Sequence, residues 1–345
     1  MPTRELDLCV TNACNLRCRY CYAAGRNMGR TSLTAAEMRR AVDLYLKGAS
    51  RTCDKISVSG GEPLLLWRLM PGLLGHIKSA RPRGAGTELF TNGLLLSQDK
   101  VLSMLKAGVK VRLSLDGEKE SHDACRPSAS GRSSFGSVIG RVLALPPELR
   151  ARLDAVPTVS IVSYRRMTEN MLFLLALGLQ AVKPSFVLDE VWPARDLREL
   201  ARVLAALRRT AARHLRSGRL NKVALKDLSG GAADFRMSNE ISIGTDRFFY
   251  PSSLVAASSP ALSKALLEEW RIGSLSEGID WEKLDALRDR AYAEIKSCGA
   301  ELYLGCLLCM YYSSRIRKVP LKPLLKSGEK VARAVLEAGL GEVSP

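Results

Sequence analysis

Short runs of β-type apolar residues alternate along the chain with stretches whose apolar positions recur three and four apart. Glu5–Thr11, Lys55–Ser59, Glu88–Thr91, Val111–Asp116, Ala155–Val162 and Ala181–Leu188 predict strands. Thr34–Gly48, Leu65–Ala80, Ser97–Ala107, Phe135–Leu145, Tyr164–Leu177 and about Asp196–Ser217 predict helices. The first helix opens with Thr34-Ala-Ala-Glu37, a capping box. Strand–helix alternation of this kind predicts an α/β fold with a parallel sheet. Six such units over roughly 210 residues fit a partial (β/α)6 TIM-like barrel, because a complete eight-unit barrel runs nearer 250 residues. In these folds the reactive groups sit at the C-terminal ends of the strands.

From about Asn221 the rhythm changes. Ile241–Tyr250 reads as a β-hairpin turning at Gly244–Arg247, followed by a Ser/Ala loop, the Arg271–Leu275 segment and a helix at Asp280–Ser297. We therefore expect two domains, a barrel over 1–217 and a small α+β domain with a C-terminal helix over 218–345.

Composition narrows the class. The chain has 345 residues, and no apolar run approaches the ~18 needed for a membrane span. The N-terminus enters a strand pattern without a signal peptide, so a cytoplasmic protein is expected. Nine cysteines in such a chain predict metal ligands rather than disulfides. Cys53 and Cys125 stand alone and read as small buried residues. A net charge of +17 suits an acidic partner: a nucleic acid, an anionic peptide or a nucleotide-like cofactor. Much of it lies on Arg195–Arg219, where a solvated helix face also accounts for it. No RNA-binding signature is visible, so a nucleic acid is the less favoured partner.

The candidate chemistry falls at predicted strand ends. Cys14, Cys18 and Cys21 follow the first strand with the spacing CxxxCxxC. Ser59-Gly60-Gly61-Glu62-Pro63 follows the second, Thr91-Asn92-Gly93 the third, and Ser114-Leu115-Asp116-Gly117 ends the fourth. Thiolates select zinc or iron–sulfur. Structural zinc usually takes two CxxC pairs or a Cys/His mixture, and neither is present at the first cluster. Cys9 is a conceivable fourth ligand but belongs to the strand itself. Three thiolates on a [4Fe–4S] cluster leave one iron open.

CxxxCxxC with Tyr20 before its last cysteine, and GGEP downstream, resembles the radical S-adenosylmethionine (radical SAM) superfamily. The resemblance implies that Cys14, Cys18 and Cys21 hold a [4Fe–4S] cluster whose open iron chelates S-adenosylmethionine. Reductive cleavage of the sulfonium then yields a 5′-deoxyadenosyl radical that abstracts hydrogen from substrate. It also implies that Ser59, Gly60, Gly61, Glu62 and Pro63 approach the methionyl ammonium. By the same likeness Ser114 and Asp116 lie near the methionyl or ribose part, Tyr20, Val159 and Ile161 near adenine, and Arg126 by the cofactor carboxylate. Asn92 and Ser114 have equally plain roles as turn and strand-end caps. His122 reads as structural, since hydrogen-atom abstraction needs no base.

The stretch Ser114–Phe135, with His122-Asp123, Arg126 and Gly131, is similar to the peptide- and protein-modifying members, which include anaerobic sulfatase-maturating enzymes and maturases of ribosomally made peptides. Those relatives carry a SPASM or Twitch extension with auxiliary clusters. Here Ser252 stands where a cysteine is expected, and the late pattern is Cys298, Glu301, Cys306 and Cys309. This supports at most one auxiliary [4Fe–4S] cluster; zinc or inert cysteines are the competing readings. The implied function is a peptide maturase. Its expected partners are a peptide with an acidic leader, a separate recognition protein or direct binding at the barrel mouth, and a flavodoxin or ferredoxin reductant. A radical SAM enzyme for RNA or a small molecule, and a non-catalytic metal scaffold, are the alternatives.

Overall fold

The computed structural model describes residues 5–23, 30–48, 53–216, 240–300 and 307–338. Strand and helix alternate six times in chain order. The first three units are β1 (Glu5–Cys9) with α1 (Ala35–Gly48), β2 (Lys55–Ser59) with α2 (Met70–Ala80), and β3 (Gly86–Thr91) with α3 (Gln98–Lys106). Next come β4 (Val109–Leu113), α4 (Lys119–Cys125), α5 (Phe135–Leu143) and the short α6 (Pro147–Arg150). β5 (Leu153–Ala155) and β6 (Thr158–Val159) precede α7 (Met167–Ala176); β7 (Ala181–Val182) and β8 (Ser185–Phe186) precede α8 (Ala194–Arg216). The remainder comprises β9 (Glu240–Ile243), β10 (Phe249–Tyr250), α9 (Ser253–Ser258), α10 (Lys264–Trp270), β11 (Gly273–Ser274), β12 (Gly278–Ile279), α11 (Trp281–Ser297), α12 (Leu307–Arg317) and α13 (Leu321–Glu337).

The chain forms two compact units. One comprises Met1–Arg17, Cys21–Arg112 and Ser238–Ala291, the other Cys18–Tyr20, Leu113–Met237 and Tyr292–Pro345. In the first, β1 lies between β2 and β9 and runs parallel to both, with Leu6 opposite Ile56 and Ile241. The Ile241–Tyr250 hairpin, expected to open the C-terminal domain, is here an edge of this sheet: β10 returns antiparallel on β9.

Leu6, Leu8, Ile56, Val58, Leu89, Ile241 and Ile243 are fully buried on one face. Each contributes about 1.5–3 kcal/mol by leaving water. The alternate positions Asp7, Ser57, Ser59, Glu88 and Ser242 are polar and also buried. A parallel sheet buried in oil on both sides would read as continuous apolar runs. The polar face therefore marks an interior built for hydrogen bonding.

In the second unit the strands expected at Ala155–Val162 and Ala181–Leu188 are each broken, because Pro157 and Pro184 have no N–H to donate. The parallel ladder nevertheless continues through the breaks. Lys183, Ser185 and Val187 donate to the carbonyls of Ala155, Pro157 and Val159 at 2.8, 2.9 and 2.9 Å. α8 packs against α7 and α13, burying Leu200, Leu204 and Leu207.

Gly75 lies inside α2 with no atom within 4 Å of where a Cβ would stand. Gly75→Ala is expected to stabilise the protein by about 0.5–1 kcal/mol through reduced unfolded-state entropy. The denaturant midpoint checks this; a lower midpoint rules it out.

Candidate active site

The cysteine loop is held at its entrance by backbone. Beyond β1, Val10 donates to the Ser59 carbonyl at 3.1 Å, Gly61 donates to the Thr11 carbonyl at 2.6 Å, and Glu62 donates to the Ala13 carbonyl at 2.9 Å. These contacts explain the paired glycines. A Cβ on Gly60, whose φ is +134°, would stand 2.4 Å from the Thr11 oxygen, and one on Gly61 would stand 2.1 Å from the Ala13 oxygen. The glycines thus let two loops touch through their main chains.

Glu62 is fully buried and acts as a clasp within the first unit. Its Oε1 accepts from the Leu64 amide at 3.0 Å and the Thr91 hydroxyl at 2.8 Å; its Oε2 accepts from the Asn92 amide at 2.8 Å. Burial raises its pKa, and these donors oppose the rise. With both oxygens engaged, Glu62 ties the GGEP loop to Thr91-Asn92, and Pro63 starts the following 3-10 turn. Asn92 Nδ2 donates to Asn15 Oδ1 at 2.7 Å and stands 3.9 Å from Cys14 Sγ, which also receives the Leu16 amide at 3.4 Å. Its Oδ1 caps the turn by accepting from the Leu94 amide at 3.0 Å. Asn92 therefore serves both the turn and the cysteine loop.

Ser59 turns to the polar face, donating to Asp7 Oδ2 at 2.8 Å, and Ser242 donates to the same oxygen at 2.9 Å. Burial pushes the Asp7 carboxyl up to about 7; the nearby Glu240 charge adds to the rise and the serine hydroxyls oppose it. The folded protein therefore keeps a proton that the unfolded chain releases, and stability falls as pH rises from about 4 to about 7. Asp7→Asn is expected to raise Tm at about pH 8, with a gain that shrinks toward pH 5. An equal gain at both pH values would refute the buried-proton assignment.

Cys9 is also buried, and burial drives its thiol far above the ordinary range. That environment disfavours the thiolate needed for ligation. Cys14, Cys18 and Cys21 are half-exposed.

In the second unit Asp116 is the hub. It accepts from the Tyr20 hydroxyl at 2.5 Å and the Thr158 amide at 2.9 Å, and it forms an ion pair with Arg126, whose Nε stands 3.0 Å away. Arg126 is buried, reaches Thr158 Oγ1 at 3.2 Å, lies over the Tyr20 ring at 5.2 Å, and points Nη1 at Cys18 Sγ, 4.0 Å away. Burial lowers the guanidinium pKa, but Asp116 outweighs it and the net shift is upward. Burial also lifts the Tyr20 phenol well above its usual value. His122 is neutral, burial holding it down to about 4. The Ser134 hydroxyl donates to the Arg126 carbonyl at 2.6 Å, so Ser134 accepts from His122 Nε2 at 3.0 Å. His122 thus braces the Arg126 backbone. Ser114 is half-buried after β4, Val159 is buried, and the Ile161 amide donates to Glu190 Oε1 at 3.3 Å.

Ser252, standing where a cysteine ligand was expected, is buried and caps α9, accepting from the Val255 amide at 3.3 Å. Cys298 and Cys309 are half-buried. Cys306 and Glu301 lie outside the described residues. Thr11, Asn15, Thr158 and Asp7 were not singled out from sequence. Only Asp7 carried a signal, the polar residue in the alternation Glu5-Leu-Asp-Leu-Cys9.

Among the described residues no three His, Cys, Asp or Glu side chains converge as a single metal ion requires. Three half-exposed thiols close together in sequence are a donor set that fits a thiolate-held cluster. Cys14 and Cys18 each face N–H donors, which stabilise thiolate and cluster sulfur.

The radical SAM superfamily profile matches residues 8–138. A probable GTP 3′,8-cyclase of Methanopyrus kandleri is 30% identical over 223 residues, covering 62% of this chain and 68% of that protein. The chain belongs to the radical SAM superfamily. An uncharacterized protein of Methanocaldococcus jannaschii is 27% identical over 181 residues, 52% of this chain and 61% of that protein. A probable GTP 3′,8-cyclase of Methanococcus maripaludis is 40% identical over 116 residues, but the match spans only 36% of its length. Among solved structures, anSMEcpe with bound AdoMet superposes with a TM-score of 0.67 at 16% identity, covering 98% of this chain and 99% of that one. Streptococcus suis SuiB bound to precursor peptide SuiA gives 0.58 at 15% identity, with 89% and 70% covered. At these identities the structures show the fold, the α/β architecture of radical SAM enzymes. As a radical SAM enzyme the protein uses a [4Fe–4S] cluster and S-adenosylmethionine.

Proposed function

We propose that this radical SAM enzyme modifies a peptide or protein substrate. The observation carrying the reading is the fold likeness to anSMEcpe over nearly the whole of both chains. That enzyme has been crystallised with the Cp18Cys peptide, and SuiB with its precursor peptide. The +17 charge fits a peptide with acidic segments.

In this reading Cys14, Cys18 and Cys21 hold the cluster. Bound there, cluster and cofactor supply hydrogen-atom abstraction from an unactivated C–H bond. The protein's own contribution is placement. Asn92, Asn15 and the Leu16 amide set Cys14; Arg126 sets Cys18. Gly60, Gly61, Pro63 and Glu62 fix the loop entrance. We assign to the cofactor the main-chain groups of Ser59–Gly61 and Asn92, and Tyr20, Ser114, Asp116, Arg126, Val159 and Ile161.

A second reading, a nucleotide substrate, is favoured by the relatives named GTP 3′,8-cyclase. The test is anaerobic reconstitution with reductant, S-adenosylmethionine, and either GTP or the small peptides encoded beside the gene. Peptide-dependent 5′-deoxyadenosine with a mass change on the peptide is expected; GTP consumption without peptide modification overturns the proposal. The same preparation tests an auxiliary cluster at Cys298, Cys306 and Cys309. Two clusters predict about eight irons per chain, falling to about four in a Cys14/Cys18/Cys21→Ala variant. Iron falling to none excludes the second cluster.

A further inference from the structure

The polar side of α8 is not an ordinary mixed surface. Arg195, Arg198, Arg202, Arg209 and Arg213 are all exposed. At about 100° per residue they fall within a stripe about 60° wide, and at about 1.5 Å rise per residue it runs about 27 Å. Leu200, Leu204 and Leu207 are buried on the opposite side. Among the described residues Arg198, Arg202 and Arg209 have no ion-pair partner. The acid beside the stripe, Glu199, is taken by the Tyr164 hydroxyl and Arg165 Nε, both at 3.0 Å. Along the first half of the stripe a shallow groove of about 540 Å³ is lined by Arg195, Arg198 and Arg202 together with Glu199, Val203 and Ala206.

We propose that this stripe docks the acidic segment of the peptide substrate, an assignment that rests on the peptide reading above. Three features select that occupant. The charges form a single line, which matches one polypeptide segment with acids four and three residues apart; a duplex nucleic acid presents two phosphate rows. The helix 194–216 contains no Phe, Tyr or Trp on which unpaired bases stack. Val203 and Ala206 offer a small apolar seat beside guanidinium groups that bind carboxylates two-pronged.

The test needs no turnover. A fluorescein-labelled helical peptide of about 20 residues, with glutamates four and three apart on one face, is titrated onto the full chain by anisotropy. A scrambled peptide of equal charge and an oligo(U) RNA are the comparison probes. The patterned peptide is expected to bind most tightly and to weaken with salt. An Arg198/Arg202/Arg209→Glu variant should lose at least about tenfold, as three exposed attractions become repulsions. Arg208→Glu is the control, because Arg208 is exposed on the same helix but about 100° away from Arg209. Unchanged binding by the triple variant, an equal loss in the control, or tighter binding of the RNA overturns the stripe. Cofactor cleavage without peptide should be unaltered in the triple variant. Failure of the peptide reading is scored separately, by the mass of the peptide after turnover with the wild-type enzyme.

Discussion

Gly61→Ala is expected to destabilise the protein by about 2–4 kcal/mol and to abolish cluster incorporation. The added methyl would sit 2.1 Å from the Ala13 carbonyl oxygen, which is backbone and has no rotamer to change. The two loops must therefore separate. Overpacking of this kind costs about 1–3 kcal/mol. Separation also weakens the bonds from Gly61 to Thr11 and from Glu62 to Ala13, each worth about 1 kcal/mol. The displaced segment leads directly into Cys14, so the thiolates lose their setting. Denaturant unfolding of the apoprotein gives the stability term, and iron content after reconstitution gives the functional one. A variant with the wild-type midpoint and full iron would show that the glycines serve only the cofactor.

Asp116→Asn is expected to cost about 3 kcal/mol, because it leaves the buried Arg126 guanidinium without a counter-charge. The amide has nearly the carboxylate's shape, so packing around Tyr20 and Thr158 is kept while the charge is removed. Adding Arg126→Met should recover at least half of the loss, since replacing both members of a buried pair avoids an unpaired ion. Additive losses in the double variant would mean that hydrogen bonding to Tyr20 and Thr158, and not charge pairing, holds the hub. Cluster loading reports the link to Cys18, which Arg126 approaches at 4.0 Å.

The family was legible because its chemistry is encoded locally. Three cysteines within eight residues, and two glycines before an acid and a proline, keep their spacing in any fold. The six strand–helix units were legible for the same reason: apolar periodicity is a property of neighbours along the chain. The roles of individual side chains were not. Glu62 gave no sign of its partners Thr91 and Asn92, which lie about thirty residues downstream and are adjacent only once β2 and β3 pair. Arg126 gave no sign in the sequence of what sets its position, which is Asp116 and Thr158. Ser252 looked like a lost cysteine and is a helix cap. The hairpin after residue 240 looked like the start of another domain, and pairing with β1 joins it to the first sheet. Spacing states which groups are near one another along the chain. Which donor meets which buried acceptor depends on contacts far apart in sequence, and those exist only after the strands are in register.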